Sequence, residues 1–425
     1  MKILLVNTYD RGGAAIACLR LHSGLLQEGI DSQLLLRNKL DNPQASNIVE
    51  LKKINKTIIQ KVTQRFNKEL VKLKIIKDRE LNKQEFINNI RAKELEMFSF
   101  PKTNIDITES EFYKVADVIN LHWVADFLDF PSFFKKNMKP IVWTLHDMNP
   151  FSGGEHYNEE FLGIDEFGYP VKRKLTQKEI KVAKKNIKIK KSALKKSAKL
   201  IIVTPSEWLA SEARKSDLFK DFPVKCIPNG IDSKIFKPRD KNLSRELFNI
   251  PKDKKVILFV AHTISNNRKG FMFLKRAIEI LNYYDIALCT VGHRELHIET
   301  SEELIELGFI NNDKLMSHVF SAADVFIIPS LIDNLPNTVI ESILCGTPVI
   351  GFPVGGIPEI IQNGKNGLIT KEISVKSLKE SIIKFLENSE KFDRYIIRKN
   401  AVTKYDKKVQ SNNYINLFNE IINNN

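Results

Sequence analysis

Cysteine is scarce in this chain, and its four residues lie far apart, without the close spacing of a zinc site. With 18 glycines and 16 prolines, the chain is not collagen-like or linker-like. No apolar run approaches the roughly 18 residues that a membrane-spanning helix needs. The first apolar run, 3–6, is too short for a signal peptide and is predicted as a strand. These absences argue against a disulfide framework and predict a globular protein of the reducing cytoplasm.

Positive charge is in excess and is concentrated in two stretches. The formal net charge is +15. Stretch 171–200 holds thirteen Lys and Arg against the single Glu179, and stretch 51–100 holds thirteen against six acidic residues, so the remainder is net acidic. One interpretation is a cationic face that meets anionic lipid headgroups or an anionic lipid-linked substrate. The other is a solvated helix with a narrow apolar stripe of Ile180, Ile187 and Leu194. Nucleic acid is disfavoured, because 171–200 has no aromatic residue.

Short apolar runs alternate along the chain with segments of helical periodicity, which is typical of a parallel sheet with crossover helices. The runs are continuous, as expected for strands that are covered on both faces. Nine are predicted as strands: 3–6, 33–36, 118–121, 141–144, 200–203, 256–260, 286–291, 325–328 and 348–351. The fold class predicted is α/β.

A Pro/Asn/Gly cluster at 227–232 predicts a junction between two doubly wound, Rossmann-like domains. The N-terminal domain is placed at 1–235, with Lys-rich helical insertions at 51–100 and 171–200, and the C-terminal domain at 236–405. Residues 406–425 have a helical pattern and are predicted to pack back on the N-terminal domain. Ligands are expected in the cleft between the domains, at the carboxyl ends of the strands.

The most informative segment is 320–361, where a strand, a Pro/Asn loop and a helix follow one another. The helix is predicted to begin near Asn337 or Thr338, with Asn337 as N-cap and Gly346 just past its end. Loop amides and a helix N-terminus form an anion site that suits a diphosphate.

Two acids frame this loop and helix, Asp333 and Glu341. A carboxylate can accept two hydrogen bonds from a vicinal diol, as in a sugar. The alternative is that Asp333 caps a turn and Glu341 is a solvated helix acid.

This segment resembles the retaining glycosyltransferases of family 4, which have the GT-B fold. Their hallmark is an acid, seven residues, then Glu, followed by G-x-P-V and G-G-x-x-E, and here Asp333 and Glu341 precede 346–349 and 355–359. The forms DNLPNTVIES (333–342) and WTLHDM (143–148) are typical of a subgroup. VTPSEWLA (203–210), IPNGID (227–232) and ADVFIIPS (323–330) extend the resemblance over most of the chain.

The resemblance implies a role for each residue of the loop. Glu341 would hold the nucleotide ribose of a donor, and Asp333, one methylene shorter than the usual Glu, would contact the donor sugar. Backbone amides would complete the donor site: those of Asn334 and Leu335 near the sugar, and those of Asn337 and Thr338 near the diphosphate.

Two cations follow the predicted strand 256–260. Arg268 and Lys269 stand in N-R-K-G, which resembles the family's K-G motif. The resemblance implies that Lys269 binds the donor pyrophosphate. The family usually has an Arg just after this strand, where His262 and Thr263 occur here, and the resemblance implies that Arg268 takes its role. The alternative for Lys269 is a surface lysine at a helix start.

Gly12 and Gly13 lie between the first strand and a helix. They do not supply the G-x-G-x-x-G of a dinucleotide site. Small residues permit close approach of an anionic ligand, and the resemblance implies that this loop closes over the donor diphosphate.

Two histidines end neighbouring predicted strands, His122 after 118–121 and His146 after 141–144. A single His at a strand end is more often structural, but two in one cleft favour a role in binding hydroxyl groups. The resemblance places His122 at the sugar and reaction centre, and His146 with Asp147 beside the acceptor. No metal site is predicted at Glu155 and His156.

The resemblance implies an enzyme that moves a sugar from a nucleotide diphosphate sugar to an acceptor hydroxyl with retention, without metal or other cofactor. The C-terminal domain would bind the donor and the N-terminal domain the acceptor, a surface polysaccharide, lipopolysaccharide or other lipid-linked glycan. Such an enzyme would act in the cytoplasm, where an anionic membrane surface is a candidate partner. Two alternatives remain, a nucleotide-sugar 2-epimerase and a non-catalytic module that binds anionic surfaces.

Overall fold

The computed structural model describes residues 1–39, 47–51, 79–92, 95–195, 197, 199–281, 284–293 and 303–423. Most of the Lys-rich stretch 51–100, together with Lys196, therefore lies outside the described residues. Within them, no helix combines the length and apolarity needed to cross a bilayer.

The described residues contain fifteen strands. They are β1 Lys2–Tyr9, β2 Asp31–Asn38, β3 Ile48–Glu50, β4 Val118–Leu121, β5 Ile141–Thr144, β6 Phe161–Ile164, β7 Pro170–Lys172, β8 Leu200–Thr204, β9 Val224–Cys226, β10 Lys255–Thr263, β11 Ile286–His293, β12 Glu303–Glu306, β13 Val325–Ile328, β14 Val349–Gly351 and β15 Gly367–Ile369.

The described residues also contain fourteen α-helices. The described α-helices are α1 Gly13–Gln27, α2 Arg79–Ile90, α3 Glu111–Val115, α4 Phe130–Lys136, α5 Gln177–Leu194, α6 Glu207–Lys215, α7 Lys241–Leu247, α8 Phe271–Glu279, α9 Asp313–Ala322, α10 Asn337–Leu344, α11 Ile357–Ile360, α12 Val375–Leu386, α13 Arg394–Tyr405 and α14 Lys407–Asn423. Short 3₁₀ turns occur at Ile107–Glu109, Asn149–Phe151, Asn267–Lys269 and Ser389–Lys391.

Two parallel sheets contain thirteen of the described strands, and β6 and β7 pair separately as a two-stranded antiparallel sheet. The N-terminal sheet has the order β3-β2-β1-β4-β5-β8-β9, and the C-terminal sheet has the order β12-β11-β10-β13-β14-β15. Strands β4 and β5 are buried along their whole length, as expected where helices cover both faces of a sheet. All nine predicted strands are present. Segments such as VKC in β9 and GLI in β15 are too short to show a clear pattern. Six short strands were therefore not predicted: β3, β6, β7, β9, β12 and β15.

The last two helices divide between the two sheets. Arg398 on α13 donates hydrogen bonds to the carbonyls of Phe236 and Leu344 in the C-terminal half. On α14, Tyr414 and Phe418 are fully buried in the core of the N-terminal sheet. The chain therefore crosses back to the first half between the two helices.

The carboxyl ends of the two sheets face each other. Asn334, in the loop after β13, donates from Nδ2 to the carbonyl of His146 after β5, at 3.1 Å. The side chains predicted to carry function lie around this junction.

Candidate functional site

Asp333 lies at the centre of the loop that follows β13. Its Oδ2 is 2.6 Å from Nζ of Lys269 and 3.5 Å from a guanidinium nitrogen of Arg268. Burial would raise the pKa of Asp333, but the two cations hold it below its ordinary value. Burial lowers the pKa of Lys269, and Asp333 offsets part of that. The site therefore combines an ionised carboxylate with a cation whose charge has little water around it.

Arg268 is held by residues of the other half of the molecule. Its Nε donates to Oε1 of Glu96 at 2.6 Å, and its guanidinium lies 5.2 Å from the ring centre of Tyr157. A further bond runs to the carbonyl of Ile332 at 3.1 Å. Burial opposes ionisation of Glu96, but Arg268 lowers the pKa of Glu96 to about 2. Arg268 therefore joins the halves beside Asp333 as well as adding positive charge there.

A glycine permits the turn that carries these cations. Gly270 ends the 3₁₀ turn at φ 70°, a left-handed conformation that favours glycine. An added Cβ would overlap the carbonyl oxygen of Pro329 at the end of β13. This close approach accounts for the glycine of the K-G pair.

The N-terminus of α10 differs from the prediction. Pro336 occupies the N-cap position without a side-chain cap, so the assignment of Asn337 as N-cap is wrong. The Asn337 side chain instead donates to the carbonyl of Gly13 at 3.2 Å and accepts from Asn229 at 3.0 Å. It points away from its own helix because those two partners lie across the cleft. Gly346 follows the helix with φ 76°, as predicted.

Glu341 is buried one turn inside α10 and is paired across the cleft. Its Oε1 accepts from Arg20 on α1 at 2.8 Å, and Arg20 also contacts Asp313 at 3.2 Å. Burial raises the pKa of Glu341, and Arg20 counters this only in part. Arg20 was not predicted, since nothing distinguishes one arginine on an amphipathic helix from any other.

The pair Gly355 and Gly356 lies directly against the loop between β13 and α10. A Cβ on either would overlap a carbonyl oxygen, that of Asp333 or that of Asn334. The amide of Gly356 donates to the Asp333 carbonyl at 3.1 Å. This contact explains G-G in the hallmark motif without any contact to a ligand.

The last acid of that motif, Glu359, binds a helix of the other half. Its two carboxylate oxygens accept from the amides of Glu207 and Trp208, at 2.8 and 2.6 Å, in the first turn of α6. The hydroxyl of Ser206, which caps α6, donates to Oδ1 of Asn334 at 2.6 Å. The N-terminus of α6 is therefore fastened to the C-terminal half at two points, α11 and the loop between β13 and α10.

The two histidines contact each other beneath the loop. Nδ1 of His122 is 3.0 Å from Nε2 of His146, and Nε2 of His122 is 3.0 Å from Oδ1 of Asn120. The His122 side chain is only 2% exposed, whereas His146 is half-buried. Burial lowers the pKa of His146 to about 4 and that of His122 well below its usual range. Both rings are therefore neutral near pH 7.

Asp147 belongs to a separate buried pair. Its Oδ2 lies 2.6 Å from Nδ1 of His156 and accepts from the indole of Trp123 at 2.7 Å. Burial opposes both charges, but the mutual attraction lowers the pKa of Asp147 and raises that of His156.

Glu155, the other ligand-type residue near His156, pairs with Arg91 and Arg173. Among the described residues, no group of three or more His, Cys, Asp or Glu is arranged to hold a metal ion.

The Lys-rich helix α5 presents only part of its charge to solvent. Its inner face carries the predicted apolar residues, with Leu194 buried and Ile187 packed against the core, and it also buries the polar side chains of Glu179, Asn186 and Lys190. Lys190 is 1% exposed and donates to the carbonyls of Asn149 and Ser152. Burial lowers the pKa of Lys190 to about 7. Ten described lysines of stretch 171–200 remain exposed: Lys172, Lys174, Lys178, Lys181, Lys184, Lys185, Lys188, Lys191, Lys195 and Lys199.

The predicted residues therefore form three linked groups. Asp333, Lys269 and Arg268 lie together, and Asn334 joins them to His146. Asn337 joins the helix tip to Gly13. Glu341 is paired with Arg20 instead of lying open, and His122 lies below His146 with both ring nitrogens bonded.

Known proteins resemble this chain at two levels. Residues 240–402, which include β10 to β15 and α8 to α12, match the family model described as "Glycosyl transferases group 1". An uncharacterized glycosyltransferase of Methanocaldococcus jannaschii is 30% identical over 184 residues, which are 39% of this chain and 46% of that protein. The chain spans about half the length of the curated relatives that it matches.

Solved structures resemble nearly the whole chain. The Anabaena protein HepE, solved with UDP, has a TM-score of 0.64 at 15% identity, with 99% of this chain and 100% of that chain covered. WaaG, a glycosyltransferase involved in lipopolysaccharide biosynthesis, has a TM-score of 0.57 at 14% identity and covers 97% and 98%. At such identities the likeness is one of fold, and it confirms the predicted GT-B fold.

Proposed function

We propose that this protein is a retaining glycosyltransferase that moves a sugar from a nucleotide diphosphate sugar to an acceptor hydroxyl. The main support is the ion pair between Asp333, in the loop between β13 and α10, and Lys269, in the 3₁₀ turn that follows β10. Both residues lie within the segment that matches group 1 glycosyltransferases. UDP in the HepE structure supports a nucleotide diphosphate as the leaving group.

Charge stabilisation at the leaving group is the proposed source of catalysis. As the bond from the anomeric carbon to the diphosphate oxygen breaks, negative charge grows on the diphosphate and positive charge on the sugar ring. Lys269 and the amides at the α10 N-terminus would stabilise the diphosphate, and Asp333 would bind the sugar. The departing phosphate oxygen would take the proton of the attacking hydroxyl, so the product keeps the anomeric configuration. No metal ion has a step in this scheme.

The proposed donor site is tested by thermal shift with UDP-, GDP- and ADP-sugars. One nucleotide class should raise the Tm of wild type, and Glu341→Gln should abolish that shift, because the amide replaces one of the two accepting carboxylate oxygens with an NH₂ donor. Glu380→Gln, an exposed acid on α12, is the matched control and should keep the shift. Equal shifts in wild type and Glu341→Gln would refute the ribose role. Epimerisation of the sugar without any acceptor would favour the 2-epimerase instead.

We also propose that the acceptor is a lipid-linked or polysaccharide glycan, reached at the inner face of a membrane. WaaG acts in lipopolysaccharide biosynthesis, and the exposed lysines of α5 supply a cationic surface. Each such lysine contributes about 1 kcal/mol near an anionic bilayer.

Liposome co-sedimentation tests the membrane contact. Changing Lys184, Lys185 and Lys188 together to Gln should weaken binding to anionic vesicles by about 100-fold, since three charges are removed. A matched triple change of exposed lysines in the C-terminal half (Lys371, Lys376 and Lys399) should have little effect. Vesicle binding that does not change with the content of anionic lipid would contradict the proposal.

A further inference from the structure

A buried amide decides which nitrogen of each histidine carries a proton. Nδ2 of Asn120 is 3.1 Å from the carbonyl oxygen of Val142 and 3.0 Å from Oγ1 of Thr144. A carbonyl oxygen only accepts, so the group that faces Val142 must be the NH₂. The oxygen of the Asn120 amide therefore faces His122.

This orientation sets the tautomers of both rings in turn. Oδ1 of Asn120 only accepts, so Nε2 of His122 must carry its proton. Both rings are neutral, because burial lowers the pKa of each. Nδ1 of His122 is then a bare lone pair, and its neighbour, Nε2 of His146, must be the donor. The remaining nitrogen, Nδ1 of His146, is left as an acceptor.

His146 lies beside the junction of the two halves. Its ring is half-buried and lines a small cavity together with Trp123 and Asp147, and its backbone carbonyl accepts from Asn334 in the loop between β13 and α10. Among the described residues, none forms a hydrogen bond with its Nδ1. Asp147, the nearest carboxylate along the chain, is committed to His156 and Trp123.

We propose that His146 is a fixed hydrogen-bond acceptor for a hydroxyl group of the acceptor substrate, with Asn120 and His122 as positioning residues that set its tautomer. This inference rests on the proposed transferase function. His146 takes no proton, because the leaving phosphate receives that of the attacking hydroxyl. The unprotonated Nδ1 of His146 repels an anionic group, so this arrangement favours a neutral sugar hydroxyl beside His146.

NMR of ¹⁵N-histidine-labelled protein tests the tautomers without any substrate. At pH 7, long-range ¹H–¹⁵N spectra should show protonated Nε2 and bare Nδ1 for both rings, and the His146 signals should vanish in His146→Asn. A proton on Nδ1 of His146, or an imidazolium form, would overturn the proposal. This readout on the wild-type protein holds even if a variant fails to fold.

Kinetics of two variants test the positioning role. Asn120→Leu removes the oxygen that holds the His122 proton, so the His146 tautomer should change and the acceptor KM should rise by about tenfold. The thermal shift with nucleotide sugar should stay unchanged. Tyr414→Phe, which removes only a bond to Thr144, is the control and should keep tautomers and acceptor KM.

The outcomes separate this inference from the transferase proposal. Nucleotide-sugar binding together with the wrong tautomer would refute the role of His146 alone. The deduced tautomers without any nucleotide-sugar binding would refute the transferase function, and with it the hydroxyl ligand assigned to His146. An unchanged acceptor KM in a folded Asn120→Leu protein would refute the positioning role.

Discussion

Arg20 sets the orientation of Glu341, the residue proposed to bind the ribose. It reaches from α1 to Glu341, two residues that are 321 positions apart in the sequence, and holds the carboxylate at 2.8 Å. One oxygen of Glu341 is used in this way. A ribose would therefore meet a carboxylate whose orientation is already set by the other half of the molecule.

Removing Arg20 should make stability depend on pH. Burial already raises the pKa of Glu341, and Arg20→Met should raise it further, so the folded protein would hold a proton that the unfolded chain releases. The free energy of unfolding is then largest below the unfolded-state pKa and falls as pH rises through the folded-state pKa. Urea denaturation from about pH 5 to about pH 8 should show a steeper fall in Arg20→Met than in wild type.

Arg20→Lys is the control for this effect, because it keeps the positive charge. Its stability should follow the wild-type pH dependence more closely than that of Arg20→Met. Parallel curves for wild type and Arg20→Met would mean that Arg20 does not set the ionisation of Glu341.

Helix α6 shows how one element fastens two halves together. Its first-turn amides bond to Glu359, and its cap Ser206 bonds to Asn334, so the helix tip touches two parts of the C-terminal half. The acidic side chain also complements the positive end of the helix dipole.

Loss of Glu359 should therefore weaken the fold more than it weakens donor binding. Glu359→Ala leaves two amides of the first turn without their acceptor, which should cost about 0.5–2 kcal/mol, as for loss of a helix cap. Urea denaturation measures this, and the nucleotide-sugar thermal shift should persist. Glu212→Ala on the same helix, whose partner Lys215 is solvent-exposed, should cost less than 0.5 kcal/mol by the usual size of such pairs. Equal losses in the two variants would argue against the clamp.

At the scale of the whole molecule, the C-terminal helix α14 belongs to the core of the N-terminal sheet. Phe418 is fully buried there with Leu21 and Leu25 of α1. Near the crossover, Ile231 and Asp406 form a bridge that joins the interdomain segment to the return of the chain. The core of the N-terminal half is therefore completed by α14, a helix that follows the C-terminal half in the sequence.

A core substitution in α14 should destabilise the N-terminal half, although α14 lies at the other end of the sequence. Phe418→Ala should lower the free energy of unfolding by about 3–5 kcal/mol, the usual cost of removing a buried phenyl ring. Asn419→Ala, on the exposed face of the same helix, should be close to neutral. Hydrogen exchange should show the loss of protection in β1 and α1, and protection lost only in α14 would contradict this assignment.

Local pattern was sufficient for the architecture and for the chemically active segments. The continuous apolar runs predicted nine strands, since a strand covered on both faces must be apolar throughout. The loop with Asp333, the helix with Glu341 and the turn with Lys269 were all identified, because their neighbours in sequence carry the pattern. Short strands such as β9 and β15 were not, because three residues make no periodicity.

Local sequence pattern is thus enough to predict the order of the elements, the α/β class and the candidate residues of each loop. The pairing of those residues depends on the fold, which joins Glu341 to Arg20, Arg268 to Glu96, Glu359 to α6 and His146 to His122. Backbone periodicity acts between neighbours in the chain, whereas a buried charge or ring nitrogen is satisfied by whichever partner the fold brings within about 3 Å.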